Sequence, residues 1–236
     1  MESKKPLIVF IHGAGVGGWM WEKQVEYFKE SFDCFVPTYA FSKHQLVNEW
    51  ADQFLDELQE RVHQDQRLIL VGFSMGAQIA LEMCARKPEW FNLVMFNSGY
   101  MEPRPFLRKM VVPLMPLFNI LPKSRAFSQK QAKELYIPDE HFEAYVAGAK
   151  NVTNAELQLI MNENLSYDLP GGLDRYKGKF LITIGEKEKK LLASSVQKLQ
   201  HTISQSELMT IPKIRHGFPL AEPDAFNTLL EKWIHK

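Results

Sequence analysis

The chain of 236 residues has no excess of charge of either sign, few cysteines and no long uninterrupted apolar run. Its 28 Lys and Arg balance 28 Asp and Glu, so no overall field favours nucleic acid or an anionic membrane surface as a partner. Two cysteines, Cys34 and Cys84, cannot build a disulfide framework. Their apolar neighbours predict two buried free thiols in a reducing compartment.

Neither a signal peptide nor a membrane-spanning helix is expected. The apolar run 6–11 is too short for the hydrophobic region of a signal peptide. The longest apolar stretch, 106–121, contains two basic residues and two prolines, which exclude a spanning helix. We therefore expect a cytoplasmic protein that acts on a small-molecule substrate. The oligomeric state stays open, and a dimer through the middle of the chain is one option.

Short apolar runs alternate with segments of helical periodicity in both terminal parts of the chain. This pattern predicts an α/β fold with a mostly parallel sheet of about six strands and helices on both faces. The predicted strands are 7–11, 34–38, 68–72, 93–96, 180–184 and 207–211. The clearest predicted helix is 44–62, whose apolar residues recur with a 3.6-residue period. Further helices are predicted at 21–28, 75–86, 191–201 and 223–234.

The alternation stops in the middle of the chain, where 99–178 contains no convincing strand. Five prolines between residues 103 and 122 argue against a continuous helix there. We therefore predict a core formed by 1–98 and 179–236, with 99–178 inserted as a helical cap.

Two capping boxes, in which a Ser or Thr precedes a Glu or Gln by three residues, mark helix starts in the insertion. They are formed by Ser128 with Gln131 and by Thr153 with Glu156. A further helix is predicted between them, at 139–150.

Ser74 is the candidate nucleophile. The strand ending at residue 71 runs into Gly72-Phe73-Ser74-Met75-Gly76, and a helix is predicted to begin at once. This G-x-S-x-G pattern favours a sharp turn that strains the serine backbone and exposes its Oγ above the sheet. The same pattern also occurs in simple tight turns, which remain the alternative.

A glycine-rich loop, 12–18, follows the first strand. A phosphate-binding loop is one interpretation, but the Gly-Lys-Ser/Thr ending is missing. The other interpretation is an oxyanion loop, in which the backbone N–H of Ala14 acts together with that of Met75. His12 is expected to shape this loop rather than to act as a base.

The candidate base is His216, one of seven histidines. It follows the last predicted strand, so it should lie at the same carboxyl edge of the sheet as Ser74. The acid should follow the strand 180–184, where Glu188 is preferred and Glu186 is the second choice. Lys187, Lys189 and Lys190 lie beside these acids. The alternative is therefore that neither glutamate is catalytic and the whole segment is a solvated run of charges.

The chain resembles the α/β-hydrolase superfamily over essentially its whole length, and in particular its compact bacterial esterase-like members with a helical cap. The resemblance is carried by His12-Gly13, the pentapeptide around Ser74, Gly185 followed by an acid three residues later, and His216 ahead of the final helix. It implies that Ser74 is the nucleophile and His216 the base.

The sequence departs from the family pattern at two positions. Glu188 stands where Asp is usual, and Arg215 stands where the residue before the histidine is usually glycine. The acid is therefore the least secure member of the triad.

We expect hydrolysis of an ester or thioester of a small to medium apolar substrate. No metal or cofactor is expected, because the sequence contains no H-E-x-x-H motif and its two cysteines are far apart. Trp19, Phe73, Met101 and Met115 are the predicted substrate-binding residues. Other apolar residues of the insertion are expected to roof the pocket, to pack the cap or to form a dimer face: Phe106, Met110, Val111, Leu114, Leu117 and Phe118. Two alternatives remain: a lyase or C–C bond enzyme with the same Ser/His site, and a ligand-binding protein on the same fold.

Overall fold

Six parallel strands form one sheet in the computed structural model, which describes residues 4–39, 46–63, 65–118 and 124–236. The order of the strands is β2-β1-β3-β4-β5-β6, and each neighbouring pair is parallel. The fold class expected from the alternating pattern is confirmed. The strands are β1 (Leu7–Ile11), β2 (Asp33–Phe35), β3 (Leu68–Phe73), β4 (Leu93–Asn97), β5 (Lys179–Gly185) and β6 (Glu207–Ile211).

Helices cover both faces of the sheet and fill the connection between β4 and β5. In chain order they are α1 (Glu22–Phe28), α2 (Val47–Arg61), α3 (Met75–Arg86), α4 (Pro105–Val111), α5 (Met115–Phe118), α6 (Arg125–Leu135), α7 (Asp139–Asn151), α8 (Asn154–Ser166), α9 (Lys189–Thr202), α10 (Phe218–Ala221) and α11 (Pro223–His235). None of the helices in these ranges is long and apolar enough to cross a membrane.

Alternate residues of each central strand face opposite layers, which explains why the strands are apolar throughout. Val9 and Ile11 belong to one buried cluster, together with residues of α2, α3 and α9. Ile8 and Phe10 belong to a second cluster, together with residues of α1 and α11. The sheet is therefore buried on both sides, and its carboxyl edge remains free to carry a site.

Two predicted elements extend more than one residue beyond the strand or helix that the structure describes. The strand predicted at 34–38 is confined to Asp33–Phe35, at the edge of the sheet. The helix predicted at 44–62 is described as Val47–Arg61, and residues 44 and 45 lie outside the described ranges.

The insertion is helical, and only one of its two predicted capping boxes forms. Thr153 Oγ1 accepts a hydrogen bond from the Glu156 N–H at 3.2 Å, and the Glu156 carboxylate accepts one from the Thr153 N–H at 2.6 Å. The box at Ser128 is wrong. The helix α6 begins one turn earlier, after Ser124, and the Ser128 N–H donates to the Ser124 carbonyl.

The segment that follows α8 returns onto the core. Tyr167, Leu173 and Tyr176 are buried in the same cluster as one face of the sheet. The division of the chain at residue 178 therefore stays a prediction.

Both cysteines are free thiols in apolar surroundings. Cys34 on β2 is half-buried and Cys84 in α3 is buried. Burial raises the pKa of Cys34 to about 11 and the pKa of Cys84 to about 12.

Candidate active site

Ser74 occupies the single residue between a strand and a helix. The strand β3 ends at Phe73, the helix α3 begins at Met75, and Ser74 has φ 56° and ψ −119°. Positive φ is strained for a residue with a Cβ, and such strain is tolerated where the surrounding structure enforces it. The Ser74 N–H donates to the Asn97 carbonyl at 2.9 Å, which ties the turn to the end of the neighbouring strand.

The two glycines of the pentapeptide allow this turn to pack closely. A Cβ on Gly72 would lie 2.4 Å from the Gly76 carbonyl oxygen, and a Cβ on Gly76 would lie 2.3 Å from the Ile11 carbonyl oxygen. Any larger residue would push α3 away from β3 or β1. Backbone packing therefore requires glycine at both positions. This requirement makes the turn recognisable from the sequence.

Three side chains predicted to act together form a continuous chain of hydrogen bonds. Ser74 Oγ lies 2.9 Å from His216 Nε2, and His216 Nδ1 lies 2.8 Å from Glu188 Oε2. When Nδ1–H donates to the carboxylate, Nε2 is free to accept the serine proton. This arrangement can activate a serine as a nucleophile.

Glu188 is buried, and its carboxylate is well supplied with donors. Burial alone would raise its pKa, but hydrogen bonds from His216, Ser98 and the Gly185 N–H, together with the His216 charge, lower the pKa below its usual range. The Gly185 N–H donates to Oε1 at 2.9 Å, and the Ser98 hydroxyl donates to the same oxygen. Glu188 is therefore ionised and held in one orientation.

The second-choice acid lies elsewhere. Glu186 is exposed and accepts a hydrogen bond from the Lys213 N–H at 2.8 Å. The geometry thus places Glu188 beside His216 and leaves Glu186 on the outer side of the same turn.

Ser98 was missed by sequence reasoning. It directly follows β4, has φ 53°, and donates its N–H to the Thr183 carbonyl at 2.9 Å. Its position at the carboxyl end of a central strand is a signal that could have marked it. The residues next to Ser98 in the sequence do not distinguish it from a serine in an ordinary turn.

The glycine loop packs directly against the nucleophile. A Cβ on Gly13 would lie 3.1 Å from Ser74 Cβ and 3.0 Å from the Phe73 ring. Within the described residues, neither the N–H of Ala14 nor that of Met75 donates to another group. Met75 is the first residue of α3, where helix geometry leaves N–H groups unpaired. Both N–H groups are thus available to a ligand oxygen.

His12 is buried and neutral. Its side chain is only 3% exposed, its Nδ1 lies 2.9 Å from the Gly13 carbonyl, and burial lowers its pKa to about 4 against a smaller opposing effect of that hydrogen bond. The ring stacks on Tyr39 at 4.2 Å between centroids, and the Tyr39 hydroxyl donates to the His12 carbonyl at 2.6 Å. These contacts fit the loop-shaping role expected for His12.

The four predicted substrate-binding residues lie in different surroundings. The Phe73 ring is 4.8 Å from the His216 ring, and the Trp19 ring stacks on His141 at 4.7 Å. Met101 is fully buried in the core and donates its N–H to Ser195 Oγ. Met115 is half-buried in α5.

Much of the expected pocket roof is exposed. Phe106 and Leu117 are 77% and 73% exposed, and Met110 and Leu114 are exposed as well. Val111 is half-buried, and the side chain of Phe118 lies outside the described part of the chain. The first helices of the insertion therefore present apolar side chains outward.

The loop before His216 is bound to the insertion. The Arg215 N–H donates to the Tyr136 hydroxyl at 3.1 Å, and the Arg215 guanidinium donates to Glu134. A residue that departs from the family pattern thus connects the histidine loop to α6. Among the described residues, no cluster of His, Cys, Asp or Glu is arranged to hold a metal ion.

The fold is shared with several solved structures. An esterase from Exiguobacterium antarcticum is 16% identical with a TM-score of 0.76, and a bromoperoxidase from Bacillus anthracis is 15% identical with a TM-score of 0.80. An enol-lactonase from Burkholderia xenovorans LB400 is 13% identical with a TM-score of 0.78. Each match covers 99% of this chain and 93% of the other chain.

At these identities the structural similarity shows the fold alone. No curated protein sequence is similar enough to count as a relative. The sequence model of the Alpha/beta hydrolase family matches residues 8–229, which is nearly the whole chain. The chain therefore belongs to the alpha/beta hydrolase family of enzymes.

Proposed function

We propose that the chain is a serine hydrolase that cleaves an ester or thioester of a small to medium apolar substrate through an acyl-enzyme. The observation that carries this proposal is the chain of hydrogen bonds from Ser74 through His216 to Glu188, with distances of 2.9 Å and 2.8 Å. The roles follow from the order of the atoms along this chain. Ser74 is the nucleophile, His216 the base, and Glu188 the group that orients and stabilises the imidazole.

The first half of the reaction forms the acyl-enzyme. His216 Nε2 takes the hydroxyl proton as Ser74 Oγ attacks the carbonyl carbon, and the carbonyl oxygen gains the negative charge. The N–H groups of Ala14 and Met75 stabilise that oxygen. The tetrahedral intermediate then collapses, and the imidazolium gives its proton to the departing alcohol or thiol.

The second half releases the acid. His216 takes a proton from water as the water oxygen attacks the acyl carbon, and the proton returns to Ser74 Oγ when the acid departs. Glu188 remains a carboxylate throughout and stabilises the imidazolium in both halves. No atom outside the chain, the substrate and water is needed.

Two further features are consistent with a hydrolase. An esterase and an enol-lactonase are among the proteins of similar fold. Ser74 is partly exposed, and the side chain of His216 is 33% exposed. The nucleophile and the base are therefore accessible to a small substrate and to water.

The test is labelling of the purified chain with a fluorophosphonate probe, followed by peptide mass spectrometry and an ester turnover assay. We expect modification at Ser74, loss of labelling in Ser74→Ala and His216→Ala, and unchanged labelling in Ser31→Ala, a serine on an exposed turn. A folded chain that is not labelled, or that is labelled elsewhere, contradicts the proposal. Release of an acid in the turnover assay separates hydrolysis from lyase chemistry.

A further inference from the structure

A cleft of about 390 Å³ opens between the glycine loop and the insertion. Its core wall includes His12, Val16 and Trp19, and its other wall is formed by α7 and the first turns of α8. The volume lies within the range of about 300–1,000 Å³ that is usual for small-ligand sites. It is large enough for roughly a dozen groups of the size of water or a methylene, at about 30 Å³ each.

The cleft is connected to the nucleophile through the glycine loop. His12 and Gly15 line it, and Gly13 between them in the sequence lies against the Ser74 side chain. The loop that carries the N–H of Ala14 therefore also forms part of the wall of the cleft.

The cleft suits an uncharged, largely apolar group. Its lining includes the side chains of Val16, Trp19 and Ile160. An acid, Glu156, also lines it and disfavours a ligand that ends in a carboxylate.

The lining includes a ring nitrogen that is open to a ligand. His12 Nδ1 lies at hydrogen-bond distance from the Gly13 carbonyl and is therefore the protonated nitrogen, which leaves Nε2 as an acceptor. Within the described ranges no hydrogen bond to Nε2 is found. The tyrosine hydroxyls of the lining are occupied, since that of Tyr39 donates to the His12 carbonyl and that of Tyr145 donates to Gln131.

Neither the backbone conformation nor the contacts of residue 148 require glycine. It lies in the last turn of α7, within the helix, where glycine is less favourable than alanine. Its φ is not positive, and a Cβ built on it would meet nothing within 4 Å. Neither a turn nor a close approach of another part of the chain therefore requires glycine there. Gly148 lines the cleft and is exposed, so the space left by its missing side chain lies at the open edge of the cleft.

We propose that this cleft holds the acyl chain of the substrate and that Gly148 sets the length of chain that fits. The class of substrate is an ester or thioester of an uncharged, medium-length, unbranched acid. This assignment of the acyl side rests on the proposed function, because the acyl group stays bound through both halves of that reaction whereas the alcohol leaves after the first. A cleft bounded by α7 and α8 suits the part that stays.

The test compares two glycines that have equal room for a side chain. Gly148→Leu adds a side chain at the edge of the cleft and is expected to shorten it. Gly171→Leu, in the loop after α8, adds the same side chain at a residue that does not line the cleft and where a Cβ also meets nothing within 4 Å. We would measure kcat/KM for p-nitrophenyl esters from acetate to decanoate. Gly148→Leu should lower kcat/KM for decanoate at least tenfold and leave acetate within about twofold. Gly171→Leu should change neither value.

A second measurement separates this inference from the proposed chemistry. Binding of decanamide, an uncharged molecule with an N–H donor, is followed by calorimetry in the Ser74→Ala chain with and without Gly148→Leu. Loss of binding on Gly148→Leu supports the cleft even if no ester is hydrolysed. If binding persists in Gly148→Leu, or if that variant lowers acetate and decanoate turnover equally while circular dichroism shows a folded protein, the cleft does not hold the acyl chain.

Discussion

The hydrogen-bonded triad and the cleft beside it are adjacent, but they are held by different kinds of structure. Ser74, Glu188 and His216 follow the ends of three strands of the sheet. A Cβ on Gly72, Gly76 or Gly185 would lie only 2.3–2.4 Å from the nearest backbone oxygen. The far wall of the cleft is the face of a helix in the insertion, where Gly148 has free space around it. One half of the site is thus fixed by backbone packing, and the other half tolerates change.

This difference implies that chemistry and selectivity can be altered independently. A substitution in the triad should remove turnover without emptying the cleft, and a substitution on α7 should change which substrates fit without disturbing the triad. The following predictions test that separation.

The largest effect is expected at the nucleophile. Ser74→Ala should lower kcat for a p-nitrophenyl ester by about 10⁵- to 10⁶-fold, because the residues of such a triad act as a unit. Decanamide affinity in the same variant should stay within about twofold of the unmodified chain. A parallel loss of affinity would show that the two halves are not separable.

The acid gives the next largest effect and decides between two neighbouring glutamates. Glu188→Gln should lower kcat by about 10³- to 10⁴-fold, because the amide favours the wrong imidazole tautomer. Glu186→Gln is the matched control and should stay within about threefold, since its carboxylate faces Lys213. The reverse ranking in steady-state assays would transfer the role of the acid to Glu186.

We expect low pH to destabilise the folded protein through His12, in the glycine loop that borders both the triad and the cleft. Burial lowers the pKa of His12 from 6.5 to about 4, so between these values the unfolded chain binds the proton and the folded chain does not. The free energy of unfolding is therefore expected to fall as the pH drops from 6.5 to 4, by about 3 kcal/mol from this residue.

Urea unfolding at pH 7 and pH 4 measures this contribution. The His12→Asn variant keeps a short polar side chain without the titrating ring, so its loss of stability on acidification should be smaller by about that amount. The His201→Asn variant changes an exposed histidine and should behave like the unmodified chain. An equal loss of stability on acidification in the His12→Asn variant would show that His12 does not cause that loss.

The smallest effect is expected at Ser98. Ser98→Ala removes one donor to Glu188 and should lower kcat by about tenfold, in line with the loss of a hydrogen bond to a charged group. The rising limb of the pH–rate profile should also move to higher pH, because a carboxylate with fewer donors holds the imidazole proton more strongly. Ser98→Gly relieves the positive φ and should show the same shift. A drop in kcat without a shift in the profile would assign Ser98 a structural role only.

The sequence was most informative where geometry forces the residue type. Gly72 and Gly76 permit no Cβ, so their pattern marks Ser74 directly, and the order of the strands then brings His216 and Glu188 to the same edge. The fold class followed from apolar strands buried on both faces.

The insertion was predicted less well because its contacts are tertiary. Met101 was expected near the substrate, but it packs into the core beside α9, and Ser128 was expected at a helix start but lies inside α6. Gly148 belongs to no motif, and only the structure shows that it lines the cleft. The role of such a residue becomes apparent only when the structure shows the opposite wall of the cleft.

The half-buried thiol of Cys34 and the buried thiol of Cys84 can report on local opening of the protein. Only a thiolate reacts with disulfide reagents, and a thiol with a pKa of about 12 is ionised in about one molecule in 10⁴ at pH 8. Cys84 lies on α3, the helix that begins directly after Ser74, whereas Cys34 lies on the edge strand β2. Labelling of Cys84 therefore requires α3 to leave the core, and its rate relative to that of Cys34 distinguishes fraying of the sheet edge from opening of the nucleophile turn.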